Sequence, residues 1–212
     1  EIFPKPNEIK VYKGENFALS GNTGSSTAPH LHFELRDTKS ESALNPLKFG
    51  FEIVDHVSPE IKNLKIYGLT EKGYLIAGKS KVVPVTKGKF GYYIGGNTTS
   101  IPSNFCSEHG GVGFAFDVID HYDQASNILG IYGSYLIINN DTIFEQRMDS
   151  VSFDHTRYIN SHTDYTEYKI NKKKYHKSFK TKENPLAIYR RKNLGVIPFH
   201  PLDTVKVTYV AF

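Results

Sequence analysis

From Ser58 onward the sequence repeats one pattern: a short run in which apolar and polar residues alternate, a turn former, then another run. Residues 61–69, 74–77, 81–85, 90–94, 112–119, 130–138, 141–147, 187–189 and 204–210 carry the alternation. Gly95-Gly96-Asn97, Ser126-Asn127 and Asn139-Asn140-Asp141 stand between several of them. Period-two alternation sends successive side chains to opposite faces of a strand. Many short strands at intervals of about ten residues predict an antiparallel β-sandwich of immunoglobulin-like type. No window of helical period runs longer than about two turns, and a short helix is expected only around residues 153–160. The abundance of Tyr and Phe, 14 of each, with 17 Gly, agrees with a chain that is mainly β.

The first fifty residues read differently. EIKVYKGENFALS, residues 8–20, alternates about Lys13-Gly14-Glu15 and predicts two short strands joined by a hairpin. GNTGSSTAP is a loop rich in turn formers. Residues 30–36 alternate again, DTKSESALNP makes a second loop, and residues 47–54 predict a further strand. A boundary falls near residues 55–59, so the chain is expected to divide into 1–54 and 58–212. The first four residues, EIFP, resemble neither a start nor a leader, and the final VKVTYVAF stops within an alternation; both ends look cut.

Within SSTAPHLHFELR, His30, His32 and Glu34 share one face of the expected strand, and Leu31, Phe33 and Leu35 share the other. The apolar set has the shape of a core face, which leaves the histidines toward a cleft or solvent. Imidazoles two residues apart sit about 7 Å from each other along the backbone, a spacing that suits one ring on a metal and the other on a substrate oxygen. Pro29 stiffens the entry to this segment. The residues by themselves favour a solvated pair over a catalytic one, because a catalytic zinc takes about three protein ligands.

GNTGSSTAPHLHFELR, followed by Asn45-Pro46, resembles the end of the lysostaphin/LytM-type zinc metallopeptidase domain, in which a G-x-T-G-x-S-x-G-P-H-L-H-F-E segment closes the active site. The Val11 to Glu15 stretch is similar to the hairpin that precedes it in that family. The resemblance covers about residues 8–50 and implies that His32 is a ligand of Zn2+, that His30 assists catalysis by orienting water or stabilising the oxyanion, and that Leu31 and Phe33 are core. Ala28 stands where the family has Gly, a small change unless the backbone there needs a positive φ. The family's other zinc histidine and aspartate lie upstream, and here no His precedes His30 and no Asp precedes Asp37. The chain is therefore expected to be a fragment that binds zinc poorly and is inactive alone. The resemblance implies a parent protein in the bacterial cell envelope that hydrolyses peptide cross-links of peptidoglycan by metal-assisted attack of water. A non-catalytic LytM regulator of wall hydrolases, or a glycan-binding sandwich, are the rival readings. The region after the boundary is similar, less closely, to the β-rich extension of some bacterial envelope proteins.

Other features exclude more than they suggest. A net charge of +4 does not mark a nucleic-acid binder. KINKKKYHKSFKTK, residues 169–182, holds seven lysines and no acid; it reads as a solvated hairpin or loop, or else as a patch for an anionic polymer. The single cysteine, Cys106, permits no internal disulfide and no thiolate zinc cluster. No run of about 18 apolar residues spans a membrane. GNTGSS lacks the Gly-Lys-Ser/Thr of a phosphate loop and leads into a strand. Asp120 to Asn127 reads as a turn rather than a calcium loop. His155, His162 and Asp164 do not match a common zinc spacing and are expected to bond with Arg157 and Tyr158. His56, His109, His176 and His200 have no partner by spacing.

Overall fold

A computed structural model describes residues 3–24, 26–51, 53–190, 194–200 and 203–212. Ser25 of the Gly-rich loop and Glu52 of the strand expected at 47–54 lie outside these. The chain forms two compact units, Glu1–Glu34 and Leu35–Phe212.

The larger unit is mainly β and antiparallel. Its short strands β1 (Leu35–Arg36) and β2 (Ala43–Leu44) are followed by β3 (Glu60–Leu69), β4 (Leu75–Gly88), β5 (Gly91–Ile94), β6 (Gly111–Ile119), β7 (Gly133–Ile138), β8 (Asp141–Arg147) and β9 (Ser150–Val151). The helices α1 (Ile159–His162) and α2 (Tyr165–Asn171) come next, then β10 (Tyr175–Lys177), β11 (Ile197–Pro198) and β12 (Val207–Ala211). One sheet runs β10-β6-β3-β4-β5, with β11 also on β6; a second runs β12-β7-β8; a third, small one runs β1-β2-β9.

The core lies between the first two sheets. Leu64, Ile66, Val112, Phe114 and Phe116 of the large sheet meet Leu136, Ile138 and Phe144 of the second. Phe116 on β6 stacks on Tyr209 of β12 with ring centroids 3.7 Å apart. This is a sandwich-like arrangement. The central strands are covered on their other face too: Tyr67 and Leu69 of β3 and Ala115 of β6 join Tyr175 and Phe179 in a second core. That double cover explains why six consecutive residues of β3, from Leu64 to Leu69, are buried, where a half-exposed strand would alternate. Backbone approach is close there. A Cβ on Gly68 would collide with the Phe105 carbonyl oxygen.

Local chemistry fixes the turns. The β7–β8 hairpin closes through Asn139 and Asn140, whose φ of 49° and 78° match a two-residue turn of the mirror-image type that suits strand twist. The two strands expected at 74–77 and 81–85 are one, β4, whose pairing with β3 shifts register between Tyr67 and Leu69. Gly78, at φ 70°, lies within that shift and takes a conformation that a side chain would oppose.

Four local expectations are corrected. Residues 46–49 form a 3₁₀ turn instead of strand, because Asn45 caps the Leu47 N–H, Pro46 starts the turn and Gly50 ends it at φ 81°. Ala187 to Tyr189 contributes only an isolated bridge, Gln146 to Tyr189. The lysine-rich segment is not a hairpin: it begins in α2, its β10 pairs with β6, and loop residues lie on either side of that strand. Tyr175, Ser178 and Phe179 of that segment are buried, since its apolar residues face the second core while most of its lysines stay outside. Helix was expected only near 153–160; the observed helical stretch runs on through α1 and α2. Among the described residues no helix is long and apolar enough to cross a membrane.

Among its described residues the smaller unit has turns but no strands. Tyr12 to Glu15 forms a β-turn, with the Glu15 N–H on the Tyr12 carbonyl at 3.0 Å and Gly14 at φ 86°. The strands expected on either side of that turn are absent among the described residues. Phe17, Leu19, Leu31 and Phe33 are exposed, at 71%, 99%, 75% and 53%, which corrects the core role expected of Leu31 and Phe33. The physical reason is size: below about 40 residues a unit rarely buries enough apolar surface to hold strands together.

Candidate functional site

The histidine pair sits where the Gly-rich loop closes. His30 forms an antiparallel bridge with Gly21, its N–H on the Gly21 carbonyl at 3.3 Å. Gly24 supports the loop with φ 80°. Both imidazoles are exposed.

Their surroundings set their tautomers. His30 Nδ1 lies 3.0 Å from the Ala28 carbonyl and 2.9 Å from Ser26 Oγ. A carbonyl only accepts, and Ser26 Oγ donates its own hydrogen to the same oxygen at 2.7 Å. Nδ1 therefore carries the ring hydrogen, and Nε2 keeps its lone pair for a proton or a metal. His32 Nε2 meets Glu34 Oε2 at 3.3 Å with the His32 side chain 76% exposed, a pair that adds little stability. In that arrangement Nδ1 is the His32 nitrogen with an open lone pair.

Imidazole nitrogen is the right donor type for zinc, but two rings do not make a site by themselves. Among the described residues no three His, Cys, Asp or Glu side chains group closely enough to hold a metal ion.

The other sequence candidates fall elsewhere. Asp120 to Asn127 is a turn: Asp120 bridges Leu129 and His121 Nδ1 donates to the Asn127 carbonyl at 3.0 Å. His56, unpaired by spacing, lies on Asp123 at 2.7 Å, and that carboxylate's hydrogen bond raises its pKa. His155 does pack on Tyr158, with centroids 6.2 Å apart. His162 and Asp164 take partners other than the expected Arg157 and Tyr158. Cys106 is a free, half-buried thiol whose pKa burial raises.

Two buried polar clusters were not legible by spacing. In the first, Lys65 Nζ donates to Asp164 Oδ2 at 3.1 Å and to Glu167 Oε1 at 2.6 Å, and the Tyr67 hydroxyl donates to Asp164 Oδ2 at 2.5 Å. Burial pulls Asp164 upward, but the bonds from Tyr67, the Glu167 amide and Lys65 outweigh it and hold the carboxyl below its ordinary range. In the second, His162 packs edge to face on His176, with centroids 5.9 Å apart, and lies tilted against Tyr189 at the same distance. Burial pushes His162 down to about 3 and His176 down to about 4. Lone alternation in Asn63 to Tyr67 gave no sign of Lys65's partners, which lie about a hundred residues away.

Against known proteins, 37 residues of the chain are 60% identical to an uncharacterized metalloprotease of Haemophilus influenzae. That stretch is 18% of this chain and 7% of the other protein. No family model matches the chain, and no solved structure matches it.

Proposed function

We propose that residues 8–50 belong to a LytM-type zinc metallopeptidase domain, and that the protein carrying them hydrolyses peptide cross-links of peptidoglycan in the bacterial cell envelope. In this reading residues 1–54 are the C-terminal part of the peptidase domain and the β-sandwich of residues 58–212 is an extension. The reading is carried by the partial likeness to a metalloprotease, taken with a His-x-His pair that is exposed and keeps one lone pair on each ring.

His32 is the proposed zinc ligand. His30, whose Nδ1 is held by the Ala28 carbonyl, presents Nε2 as the base or hydrogen-bond partner for water. Bound zinc would supply Lewis acidity and bring a water toward a neutral pKa. The reading needs one further His and one Asp that the described residues do not place beside His32.

The test compares the 212-residue chain with the product of the whole gene, each with and without added zinc, on purified cross-linked peptidoglycan. Expected is release of new amino termini by the whole product, abolished by chelation, by His32→Ala and by His30→Ala, with none from the 212 residues alone. Activity of the 212-residue chain, or chelator-resistant activity of the whole product, refutes it.

A further inference from the structure

The junction of Lys65, Asp164 and Glu167 contains the parts of a reaction as well as those of an ion pair. Lys65 comes from β3, and the two acids come from the cap and first turn of α2, 99 and 102 residues further on. The Lys65 and Asp164 side chains are only 8% and 7% exposed, and Glu167 is 20% exposed. The rings of Tyr67 and Tyr175 flank Nζ at 5.0 and 5.5 Å. Nothing in the metallopeptidase reading uses this place.

We propose that Lys65 and Asp164 condense to form an intramolecular isopeptide bond, with Glu167 carrying the protons. Nζ lies 3.1 Å from Oδ2 of the acid it would attack, a contact that holds the amine beside the carboxyl group, and groups held side by side in this way react far faster than free ones. The Asp164 carboxyl is held on both sides: Oδ1 accepts the Glu167 N–H at 3.1 Å and Oδ2 accepts the Tyr67 hydroxyl at 2.5 Å. Those two donors polarise the carboxyl carbon and stabilise charge on its oxygens as the tetrahedral intermediate forms. Glu167 Oε1 sits 2.6 Å from the same Nζ.

The balance is that of a simple condensation. Lys65 ammonium passes one proton to the Asp164 carboxylate, leaving an amine and a carboxylic acid. The Nζ lone pair forms a bond to Cγ. Glu167 takes a proton from Nζ and returns it to the departing oxygen, the C–O bond breaks, and one water leaves. The product is a secondary amide, and the charge of Glu167 is unchanged. No oxidant, metal or co-substrate enters. The surrounding aromatic rings and the buried position keep water from reversing the step. The retained amide oxygen remains an acceptor for the cap of α2. A second, partly buried amine, Lys177, is turned to the Ser161 carbonyl at 3.1 Å and serves as an internal control.

The test is the intact mass of the purified chain, shown to be folded by circular dichroism, followed by peptide mapping. The expected result is a chain one water lighter than its sequence, with a branched peptide joining the Lys65 and Asp164 segments. Lys65→Arg restores the full mass, Lys177→Arg keeps the loss, and Glu167→Gln slows its appearance after refolding at least tenfold. A folded wild-type chain that retains its full mass after prolonged incubation overturns the proposal. So does a water loss that maps to a cyclic imide in place of a branched peptide, and a Glu167→Gln chain that closes at the wild-type rate removes Glu167 from the mechanism.

Discussion

Replacing Asp149 by Asn isolates one electrostatic clamp of the larger unit. The Asp149 carboxylate accepts from Lys48 Nζ at 2.8 Å, from the Tyr132 hydroxyl at 2.5 Å and from the Arg190 guanidinium. It joins the turn after β2 to the end of the β7–β8 hairpin. Bonds from Lys48 and Tyr132 first, then Arg190, draw its pKa from 3.8 down to about 2, against the opposing effect of burial. At about 1.4 kcal/mol per unit this shift corresponds to roughly 2.5 kcal/mol. The carboxylate is 15% exposed, but Lys48 and Arg190 are 50% and 41% exposed, so screening lowers the expected value to about 1 kcal/mol. Asn keeps the shape and loses the charge.

The sign follows from the depressed pKa. Stability from this group is present above the unfolded value of 3.8 and is lost as pH falls through the folded value of about 2. Urea unfolding of both proteins near neutral pH is expected to show Asp149→Asn weaker by about 1 kcal/mol. The gap narrows as the pH drops from about 5 toward about 2. Taking the difference between the two proteins cancels the histidine titrations they share. A gap absent near neutral pH, or one that stays constant as the acid range is entered, refutes the account.

Other outcomes follow from the same structure. His162 and His176 are buried with pKa values pushed down to about 3 and about 4, so the unfolded chain binds protons first as pH falls below 6.5. Stability is expected to decline by up to about 1.4 kcal/mol per pH unit for each ring, and His162→Gln removes part of that slope in melts recorded from neutral to acid pH. Phe144→Ala, which empties a ring only 1% exposed between the two sheets, is expected to destabilise by about 3–5 kcal/mol in urea unfolding. Gly68→Ala is expected to lower the melting temperature, because the new Cβ would meet the backbone of Phe105. Asn45→Ala removes the cap on the 3₁₀ turn and a bond to the Met148 carbonyl, and should lower unfolding free energy by about 1 kcal/mol.

Legibility in the sequence tracked how local each cause was. The alternation in 141–147 became β8 with the same bounds, and that in 61–69 became β3, since a period of two and its flanking turns lie within a few residues of each other. The Asn139-Asn140 turn was readable for the same reason. Residues 172–177 hid a strand, because four lysines around Tyr175 and His176 outweigh two side chains whose burial depends on a sheet formed elsewhere. Residues 47–54 misled because their apolar spacing suits a strand while Asn45, Pro46 and Gly50 cap a helical turn. His30 and His32 stood out by adjacency. Lys65, Asp164 and Glu167 did not, since nothing in a sequence window joins side chains that are 99 and 102 residues apart.

The two kinds of pairing in the sandwich also imply an order of assembly. The β7–β8 hairpin needs only the two-residue Asn139-Asn140 turn, so it can close on the scale of about 1–10 μs. β3 must find β6 across the intervening β4 and β5, and Lys65 must find α2 further still; such non-local contacts are reached only after a large loss of chain entropy. The hairpin is thus an early landing surface, and the doubly covered centre of the large sheet is the slow step, the part whose amides should be the last to exchange with solvent.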